Sequence, residues 1–478
     1  MSRLISTAVL ASACAFTLVA DADELPSLPH SWEQAETPSC FSSPLAYVMA
    51  SPEECPLTWN RITFYGRIDV GVTHDTHGVP FNGAYPNGVE TQISKNSNRS
   101  LTSIAPNGLG QSFLGLKGDE PIAASGWSFI FNAQTGFDPY SLQRANGPKS
   151  LVENNATVVD YQSANGDSSR AGQLFNMGAY AGVSNRVLGA ITAGRQDSLV
   201  KDALGSYDAM EAAKAFSLVG VSNIVAGAGD TEDARYNTSV QYRVRVGPLR
   251  FAALYQFGSY DQGNGSNGAF DADVGGDFGG FSFDAVGSKI KDAVSLSNFG
   301  EYPLPSGVNP TDLKATLSNN TAGAAMAKYS YNIATVYGGF EYILFRNPSD
   351  AYPNGFRTLG GYTVLPGDVN STAYTINKIL RAVWTGVRLD LRDDLSLAGA
   401  YYHYWQNDYN TGACTGGGRS ASSCPGTENA VSAMIDYRPM KRVDAYAGVL
   451  WSQVTGGMAS GYLYRINLAP TVGVRVRF

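Results

Sequence analysis

Apolar and polar residues alternate along several stretches of the chain, most clearly in its final segment. Within residues 470–478 an apolar side chain occupies every second position, and the positions between hold threonine, glycine or arginine. The alternating apolar residues are Val472, Val474, Val476 and Phe478, and the residues between them are Gly473, Arg475 and Arg477. Side chains of a strand point to opposite faces with a period of two. This segment is therefore predicted to form a strand with one apolar and one charged face.

A second alternating segment lies at residues 61–73 and follows the same rule. Ile62, Phe64 and Ile68 share one face, whereas Arg67 and Asp69 lie on the other. A strand between lipid and water has this composition. Because every backbone polar group in lipid must be paired, a terminal strand there needs a partner. We expect the strand at 470–478 to pair with the one at 61–73 and close a barrel.

The remaining alternating segments raise the predicted number of strands to about 16. The clearest are residues 127–137, 236–246, 249–257, 383–391 and 443–451. Short turns join some neighbours, for example at 247–248 and 392–394, and long connections rich in Gly, Asn, Asp, Ser and Pro separate others. The long connections are predicted at about 75–108, 138–172, 197–232, 259–279, 300–327, 346–378 and 407–428.

Two lengths of connection are typical of outer-membrane barrels, which have short periplasmic turns and long extracellular loops. The sequence thus predicts an all-β fold, a transmembrane antiparallel β-barrel of about 16 strands. A barrel this wide cannot be filled by side chains and leaves an aqueous channel.

Composition supports a membrane barrel and argues against two other classes. Charged residues make up only 16% of the chain, which is low for a soluble protein, yet the mean hydropathy of −0.14 is too low for a helical membrane protein. Alternating strands give this combination, because their polar and apolar faces average out. The net charge of −7 argues against nucleic-acid binding, which requires a basic face.

The N-terminal 22 residues have the features of a cleaved export signal. Arg3 precedes an apolar run, and Ala20 and Ala22 supply the small residues of a cleavage site. An uncleaved transmembrane anchor is the alternative interpretation. Residues 23–58 are predicted to form a Pro- and Ser-rich extension, and residues 59–478 to form the barrel domain.

Four cysteines follow the predicted signal. Cys40 and Cys55 flank one short loop, and Cys414 and Cys424 flank another. Local pairs in an exported protein are typical of disulfides. Zinc or redox use is the alternative, but no histidine lies near and neither spacing is CxxC.

Nearly everything after residue 59 resembles the trimeric general porins of Gram-negative outer membranes. The matching motifs are FYGRID at 64–69, FLGLKGDE at 113–120, AGRQ at 193–196 and DALGSYDAM at 202–210. The resemblance implies a water-filled channel for passive diffusion of ions and small hydrophilic solutes. It also implies a homotrimer, with the terminal Phe478 as the signal for the barrel-assembly machinery and with outer-membrane lipid and lipopolysaccharide as further partners.

In that family the loop after the fifth strand folds into the pore and presents acids to arginines on the opposite wall. The resemblance implies such an inward-folded third loop at residues 197–232. The constriction candidates are Arg67, Arg195 and Arg235 on the wall and Asp197, Asp202, Asp208 and Glu211 on the loop, with Arg243 added from alternation alone. Opposed charges across a narrow neck create a transverse field that orients dipolar solutes. Phe113 and Met177 stand where enterobacterial members have wall arginines, so a less basic wall is expected.

No motif for catalysis, a cofactor or a metal accompanies these residues. His74 and His77 have no third ligand near them in sequence, and His403 lies among aromatic residues. A solute-selective porin is the nearest alternative. An outer-membrane barrel enzyme or an adhesin, including an exported soluble β-sandwich, belongs to a different class, and the enzyme would need a Ser/His or Asp/His pair at the rim.

Overall fold

The computed structural model describes most of the chain after residue 38, and the predicted signal lies outside the described residues. The described parts are residues 39–77, 100–123, 125–140, 142, 152, 155, 174–219, 235–258, 265–299, 303–350, 358–359, 362–410, 414, 421–459 and 464–478. None of the helices among them is long and apolar enough to cross a membrane.

Twenty strands and two α-helices account for most of the described residues. The strands are β1 (Leu57–Trp59), β2 (Ile62–Asp75), β3 (Leu101–Pro106), β4 (Phe113–Pro121), β5 (Trp127–Gly136), β6 (Gly178–Asn185), β7 (Gly189–Asp197), β8 (Arg235–Val246), β9 (Leu249–Gln256), β10 (Ala269–Phe278), β11 (Phe281–Ser297), β12 (Asp312–Tyr331), β13 (Ala334–Arg346), β14 (Thr358–Leu359), β15 (Tyr362–Asn370), β16 (Lys378–Arg392), β17 (Leu395–Gln406), β18 (Gly426–Met440), β19 (Val443–Gly456) and β20 (Ile466–Arg477). The helices are α1 (Pro44–Met49) and α2 (Leu199–Ser206).

Sixteen of these strands close an antiparallel barrel, as the sequence predicted. The order runs from β2 through β4 to β13, then β16 to β20, and returns to β2. The first and last barrel strands pair with Val70 opposite Val474. Alternation separates the two faces: Val472 points outward and is 59% exposed, whereas Thr471 points inward and is 1% exposed.

Connection lengths also follow the prediction, since short turns cluster at one end of the barrel and long connections at the other. Four of the predicted long connections were wrong in part: 75–108 contains β3, 259–279 contains β10, 300–327 contains most of β12, and 346–378 contains β14 and β15. The lumen face of β10 is polar at Asp271 and Asp273, and its outward face includes the small residue Gly276. A strand with so many polar and small residues has the composition of a loop, so the sequence pattern did not reveal it.

A break in the second barrel strand is organised by one inward carboxylate. Residues 107–112 separate β3 from β4, although both strands pair with β2. Asp69 is fully buried and accepts hydrogen bonds from Leu109 N at 2.7 Å and Gly110 N at 2.9 Å. Tyr446 Oη on β19 donates to the same carboxylate at 2.7 Å. Because these bonds satisfy Asp69, the wall can bulge inward here without leaving the carboxylate unpaired.

Beyond the barrel rim, the long ends of β11 and β12 pack with β15 around a second apolar core. Its fully buried members are Val294, Leu296, Leu313, Leu317 and Val364. β15 pairs with β12 in parallel, which adds strands outside the barrel closure. This core explains why β11 and β12 are longer than the other strands.

The N-terminal extension closes the seam between the first and last barrel strands. Phe478 exchanges backbone hydrogen bonds with Gly66 at 2.9 and 3.0 Å, where the chain ends. β1 then pairs with the next part of β2, with Leu57 opposite Phe64. The part of the β2 edge that extends past Phe478 is therefore paired with β1 rather than left open.

A buried arginine fastens the extension to the turn between β18 and β19. Arg442 is 1% exposed and donates hydrogen bonds to the carbonyls of Tyr47, Ser51 and Cys55, at 2.8, 3.1 and 2.6 Å. Its guanidinium also lies 3.9 Å from the centre of the Tyr47 ring. We call this arrangement, residues 39–59 with Arg442, the seam clamp.

Both predicted cysteine pairs are confirmed as disulfides. Cys40 and Cys55 are joined within the seam clamp, with their Cα atoms 6.4 Å apart. Cys414 and Cys424 are joined in the connection between β17 and β18, with a Cα separation of 5.4 Å.

We predict that Arg442 and the Cys40–Cys55 disulfide stabilise the barrel as one unit. Removing this disulfide by a Cys40→Ser/Cys55→Ser change should cost about 2–3 kcal/mol, and Arg442→Met should also lower the unfolding temperature. The measurement is the temperature at which the folded band disappears on gel electrophoresis in detergent.

The losses in unfolding temperature from the two changes should not add, because each change frees the same backbone carbonyls, those of Tyr47, Ser51 and Cys55, from Arg442. Cys414→Ser/Cys424→Ser is the matched control, and in that background Arg442→Met should keep its full effect. Equal effects of Arg442→Met in both disulfide backgrounds would contradict the clamp.

Candidate pore constriction

The connection between β7 and β8 begins with a helix that lies inside the barrel. Ser198 caps α2 by accepting a hydrogen bond from Lys201 N at 3.1 Å on its hydroxyl. Leu199 N donates to Asp271 on β10 at 3.1 Å. The helix is therefore held to a neighbouring part of the inner wall by its first turn. We call residues 197–219 the inner loop.

The middle of the inner loop is fastened to strands on the far side of the barrel. Trp384 Nε1 on β16 donates to the Tyr207 carbonyl at 3.0 Å. Tyr402 Oη on β17 donates to Asp208 Oδ1 at 2.7 Å. These bonds join the loop to two adjacent strands and keep it across the lumen.

The end of the described loop reaches the broken strand and β19. Ala215 N donates to the Gly108 carbonyl at 2.8 Å, in the break between β3 and β4. The Phe216 ring contacts Tyr446 edge-on, with centroids 6.0 Å apart. The break in the wall thus receives the loop on its inner side.

Small residues on the wall make room for the loop. The inward positions behind it are rich in alanine, namely Ala322, Ala324, Ala382, Ala398, Ala400 and Ala430, and they share one apolar cluster with the loop. A β-carbon added at Gly386 would lie 2.6 Å from Ala209 Cβ, and one at Gly448 would lie 2.7 Å from the Phe216 ring. The loop therefore packs against one side of the barrel and leaves the other side open.

A cavity of about 520 Å³ lies between the inner loop and the opposite wall. Its charged lining residues are Arg67, Arg235, Asp436 and Arg475 on the wall and Asp197, Lys201, Asp202, Glu211 and Lys214 on the loop. Charges of both signs thus face one another across this cavity.

Each carboxylate of this lining is paired with a cation. Asp197 contacts Arg235 at 2.6 Å and also bonds Lys201. Asp202 is paired with Arg243. These two loop acids are thus neutralised by residues of the loop itself or of the neighbouring strand β8.

Arg388 links the remaining two acids and was missed by the sequence analysis as a constriction residue. It lies 3.2 Å from Glu211 on the loop and 3.6 Å from Asp436 on the wall. Its side chain is only 8% exposed. The alternating pattern places Arg388 on the inner face, but no local signal shows that it meets the loop.

Arg67 differs from the other cavity arginines because it forms no ion pair with a described residue. Its Nε donates to the Gln111 carbonyl at 2.8 Å, and its guanidinium lies 5.2 Å from the centre of the Phe113 ring. Its guanidinium is therefore held in place by neutral groups, and it borders the cavity without an ion pair to a described residue.

Comparison with known protein families agrees with a closed barrel whose charged lumen is narrowed by a loop. The family model described as Gram-negative porin matches residues 6–456. The chain belongs to the Gram-negative porin family. This membership places the porin in the outer membrane.

Individual relatives agree on the fold. An outer membrane porin protein of Bordetella pertussis is 25% identical over 203 residues, which is 42% of this chain and 44% of that protein, so the match spans less than half of that relative. The anion-selective porin from Comamonas acidovorans has a TM-score of 0.55 and 16% identity, covering 87% of this chain and 99% of that one. The loop L8 deletion mutant of OmpT from Vibrio cholerae has a TM-score of 0.54 and 13% identity, with the same coverage.

Five of the eight predicted constriction residues of this porin line the cavity, and three lie elsewhere. Arg67, Arg235, Asp197, Asp202 and Glu211 line it. Arg243 reaches it only through Asp202. The roles of all eight in permeation stay predictions.

Arg195 is turned inward by an irregularity in β7. The register of β7 against β8 shifts between Gly194 and Gln196, and Gly194 has a φ of +134°. Arg195 then donates to the Asn176 carbonyl at 3.0 Å and to Asn237 Oδ1 at 2.6 Å, and it is 5% exposed. Its bonds tie the start of the inner loop to the wall.

Asp208 lies on the side of the loop that faces away from the cavity. It is 1% exposed and accepts from Tyr402 Oη and from Ala212 N, the latter at 3.0 Å. Burial raises the pKa of its carboxyl above the ordinary value, although these hydrogen bonds oppose the shift. Asp208 is therefore a loop anchor, and the expectation that it faces the pore was wrong in geometry.

The raised pKa of Asp208 predicts a pH dependence of loop docking. Because the folded protein favours the protonated carboxyl, the stability gained from protonated Asp208 is fully present below the ordinary carboxyl pKa of about 4. This stability is lost as pH rises through the raised pKa of the folded protein. Asp208→Asn should remove this dependence, because the amide stays neutral.

The measurement is the unfolding temperature of both proteins from about pH 3 to 8. The difference between the curves should be small at the acid end and should favour Asp208→Asn as pH rises. A difference that does not change with pH would show that the Asp208 carboxyl does not titrate during unfolding.

Proposed function

We propose that this porin forms a water-filled channel for passive diffusion of ions and small hydrophilic solutes across the outer membrane. The observation that carries the proposal is the inner loop, which crosses the closed barrel and leaves a charged cavity of about 520 Å³ against the opposite wall. Solutes would be selected by size and by the field between loop and wall.

No chemical step is part of the proposed function. A barrel enzyme would need a histidine beside a serine or a carboxylate. Among the described residues, His74 contacts Thr102, His77 stacks on Tyr464 and His403 contacts Asn429. Likewise, the described residues contain no group of three or more His, Cys, Asp or Glu that could hold a metal. These contacts favour a channel over the enzyme alternative.

We also propose that the porin is a homotrimer. A structure of OmpT from Vibrio cholerae, titled as a trimer form, has a TM-score of 0.51 and 11% identity to this chain. The proposal for this chain is tested by its mass in detergent. Phe478, beside the barrel seam, is proposed as the signal for the assembly machinery.

The charge distribution at the cavity supports a preference for anions. The cavity carboxylates are paired with arginine or lysine, whereas Arg67 faces the lumen without a carboxylate partner among the described residues. A fixed positive charge at a neck raises the local concentration of anions. The Comamonas acidovorans structure is titled an anion-selective porin, which agrees with this inference.

Single-channel recording in a planar bilayer tests the channel. The purified protein should give large ohmic steps, in groups of three for a trimer. Folded protein that gives no conductance would contradict the proposal and favour an adhesive or enzymatic role.

We predict that Arg67→Gln weakens the anion preference. The ratio of anion to cation permeability, taken from the reversal potential in a salt gradient, should fall at least about twofold, because one unpaired charge leaves the neck. Arg245→Gln is the matched control, since Arg245 also faces the lumen but is paired with Asp277 at 3.1 Å, outside the cavity lining. An unchanged reversal potential for Arg67→Gln would remove Arg67 from the selectivity mechanism.

A further inference from the structure

Two aromatic rings lie between two cations on the inner wall formed by β2 and β4. Arg67 and Phe113 are paired in register across these strands, and Tyr65 lies nearer the short-turn rim. Lys117 follows on β4, while residues that alternate with it, such as Leu116, are exposed on the outer face. The four inward side chains extend over about 13 Å of wall, from the cavity toward the rim. We call Arg67, Phe113, Tyr65 and Lys117 the lumen track.

Each member of the lumen track contacts the next through an aromatic ring. The Arg67 guanidinium lies 5.2 Å from the centre of the Phe113 ring. The Phe113 and Tyr65 rings meet edge to face, with their centroids 5.6 Å apart. Lys117 Nζ lies 4.9 Å from the centre of the Tyr65 ring. The track is therefore a continuous row, in which both cations lie within the range of cation–π attraction.

The Tyr65 ring is fixed along the wall, because Gly115 leaves room for it. A β-carbon added at Gly115 would lie 2.8 Å from two atoms of the Tyr65 ring. The Tyr65 hydroxyl is bonded to the side-chain amides of Asn132 and Gln134 on β5. Tyr65 is only half-buried. Since its hydroxyl is already bonded, Tyr65 offers its ring rather than a hydrogen-bonding group to a solute.

Both cations of the lumen track lack a carboxylate partner among the described residues. Arg67 donates from Nε to the Gln111 carbonyl at 2.8 Å, but its two terminal nitrogens donate to no described residue. Lys117 forms neither an ion pair nor a hydrogen bond with the described part of the chain, although Asp119 follows on the same strand face. Arg67 and Lys117 are also partly exposed. An anionic group of a solute can therefore pair with either cation.

At its cavity end, the lumen track borders a group of flexible apolar side chains. Phe113 lines the cavity together with Met177, Met210 and Met434. Methionine adapts its shape to a neighbour, and its sulfur makes favourable contacts with aromatic rings. An aromatic solute beside Arg67 would therefore meet apolar and aromatic surface as well as a positive charge.

We propose that the lumen track binds aromatic carboxylates as they cross the pore. The carboxylate forms charge-assisted hydrogen bonds with Arg67 or Lys117, and the ring stacks on Phe113 or Tyr65. Because a cation lies at each end of the two rings, the solute can pair at the cavity and again nearer the rim. This inference rests on the proposed channel and names a class of solute that the channel favours.

A neutral sugar is a poorer match for the same wall. A sugar that leaves water must find hydrogen-bond partners for its many hydroxyl groups. The Tyr65 hydroxyl is already bonded to two amides, and Phe113 has no polar group. Two cations without carboxylate partners among the described residues raise the local concentration of anions instead. The track therefore favours a solute that combines a ring with a negative charge.

The test is the block of the single-channel potassium chloride current by added benzoate at neutral pH. Three comparison compounds separate the two features of the ligand. Acetate has the charge without a ring, benzyl alcohol has the aromatic ring without the charge, and cyclohexanecarboxylate has the charge on a ring that is not aromatic. Benzoate should halve the current at a concentration about fivefold lower than any of the three.

Two variants locate the binding on the lumen track. Phe113→Leu should raise the benzoate concentration that halves the current about fivefold and leave the value for acetate unchanged, because only a ring is lost. Lys117→Gln should weaken the block by benzoate and by acetate alike. Tyr337→Leu is the matched control, since Tyr337 lies on the inward face of β13, outside the lumen track and the cavity lining. It should leave the block by benzoate unchanged.

Equal block by benzoate and cyclohexanecarboxylate would overturn the proposal, and so would a block by benzoate that Phe113→Leu does not change. Wild-type protein that conducts but is not blocked by benzoate would overturn the binding of aromatic carboxylates and leave the channel in place. Folded wild-type protein without any current would overturn the channel and this inference together. The current in potassium chloride alone thus distinguishes the two failures.

Discussion

The structure depends on one constraint, that no backbone hydrogen-bonding group can remain unpaired in lipid. Closure of β20 onto β2 meets this requirement around the circumference. At the short-turn rim, however, β20 is shorter than its partner β2, and Phe478 pairs with Gly66. β1 extends the pairing from that point, and the buried Arg442 holds the extension in place. The seam is thus completed by a part of the chain that lies outside the barrel closure.

Inside the barrel a different problem arises, because a wide lumen must be narrowed without a core. The inner loop solves it by packing on a wall of alanine and glycine, with hydrogen bonds from Trp384 and Tyr402 directing its path. As a result, the carboxylates of the loop lie on two sides of it, one side against the wall and the other toward the cavity. Asp208 is buried against the wall and anchors the loop, whereas Asp197 and Glu211 lie on the open side beside arginines. The acid that anchors the loop and the acids that line the cavity are therefore different residues of one short segment.

Local pattern was sufficient for the barrel but not for the details of the constriction. The alternation at residues 470–478 and 61–73 predicted the closing strands, because a period of two follows directly from strand geometry. Strand β10 was not found, because its lumen face carries Asp271 and Asp273 and resembles a polar loop. Arg195 faces inward only because the register shifts at Gly194, and a shift of one residue is not visible in composition. The contact of Arg388 with Glu211 joins positions that are distant in sequence, so no local pattern could indicate it.

The glycine at position 386 has a consequence for the width of the passage. Its missing side chain leaves the space that Ala209 occupies, since a β-carbon there would approach to 2.6 Å. A larger residue at position 386 would therefore meet Ala209 of the inner loop, and the next residues of that loop, Met210 and Glu211, line the cavity. The width of the channel therefore depends on wall residues that lie behind the inner loop, away from the cavity. A change in their size can alter this width while the charged residues of the cavity stay the same.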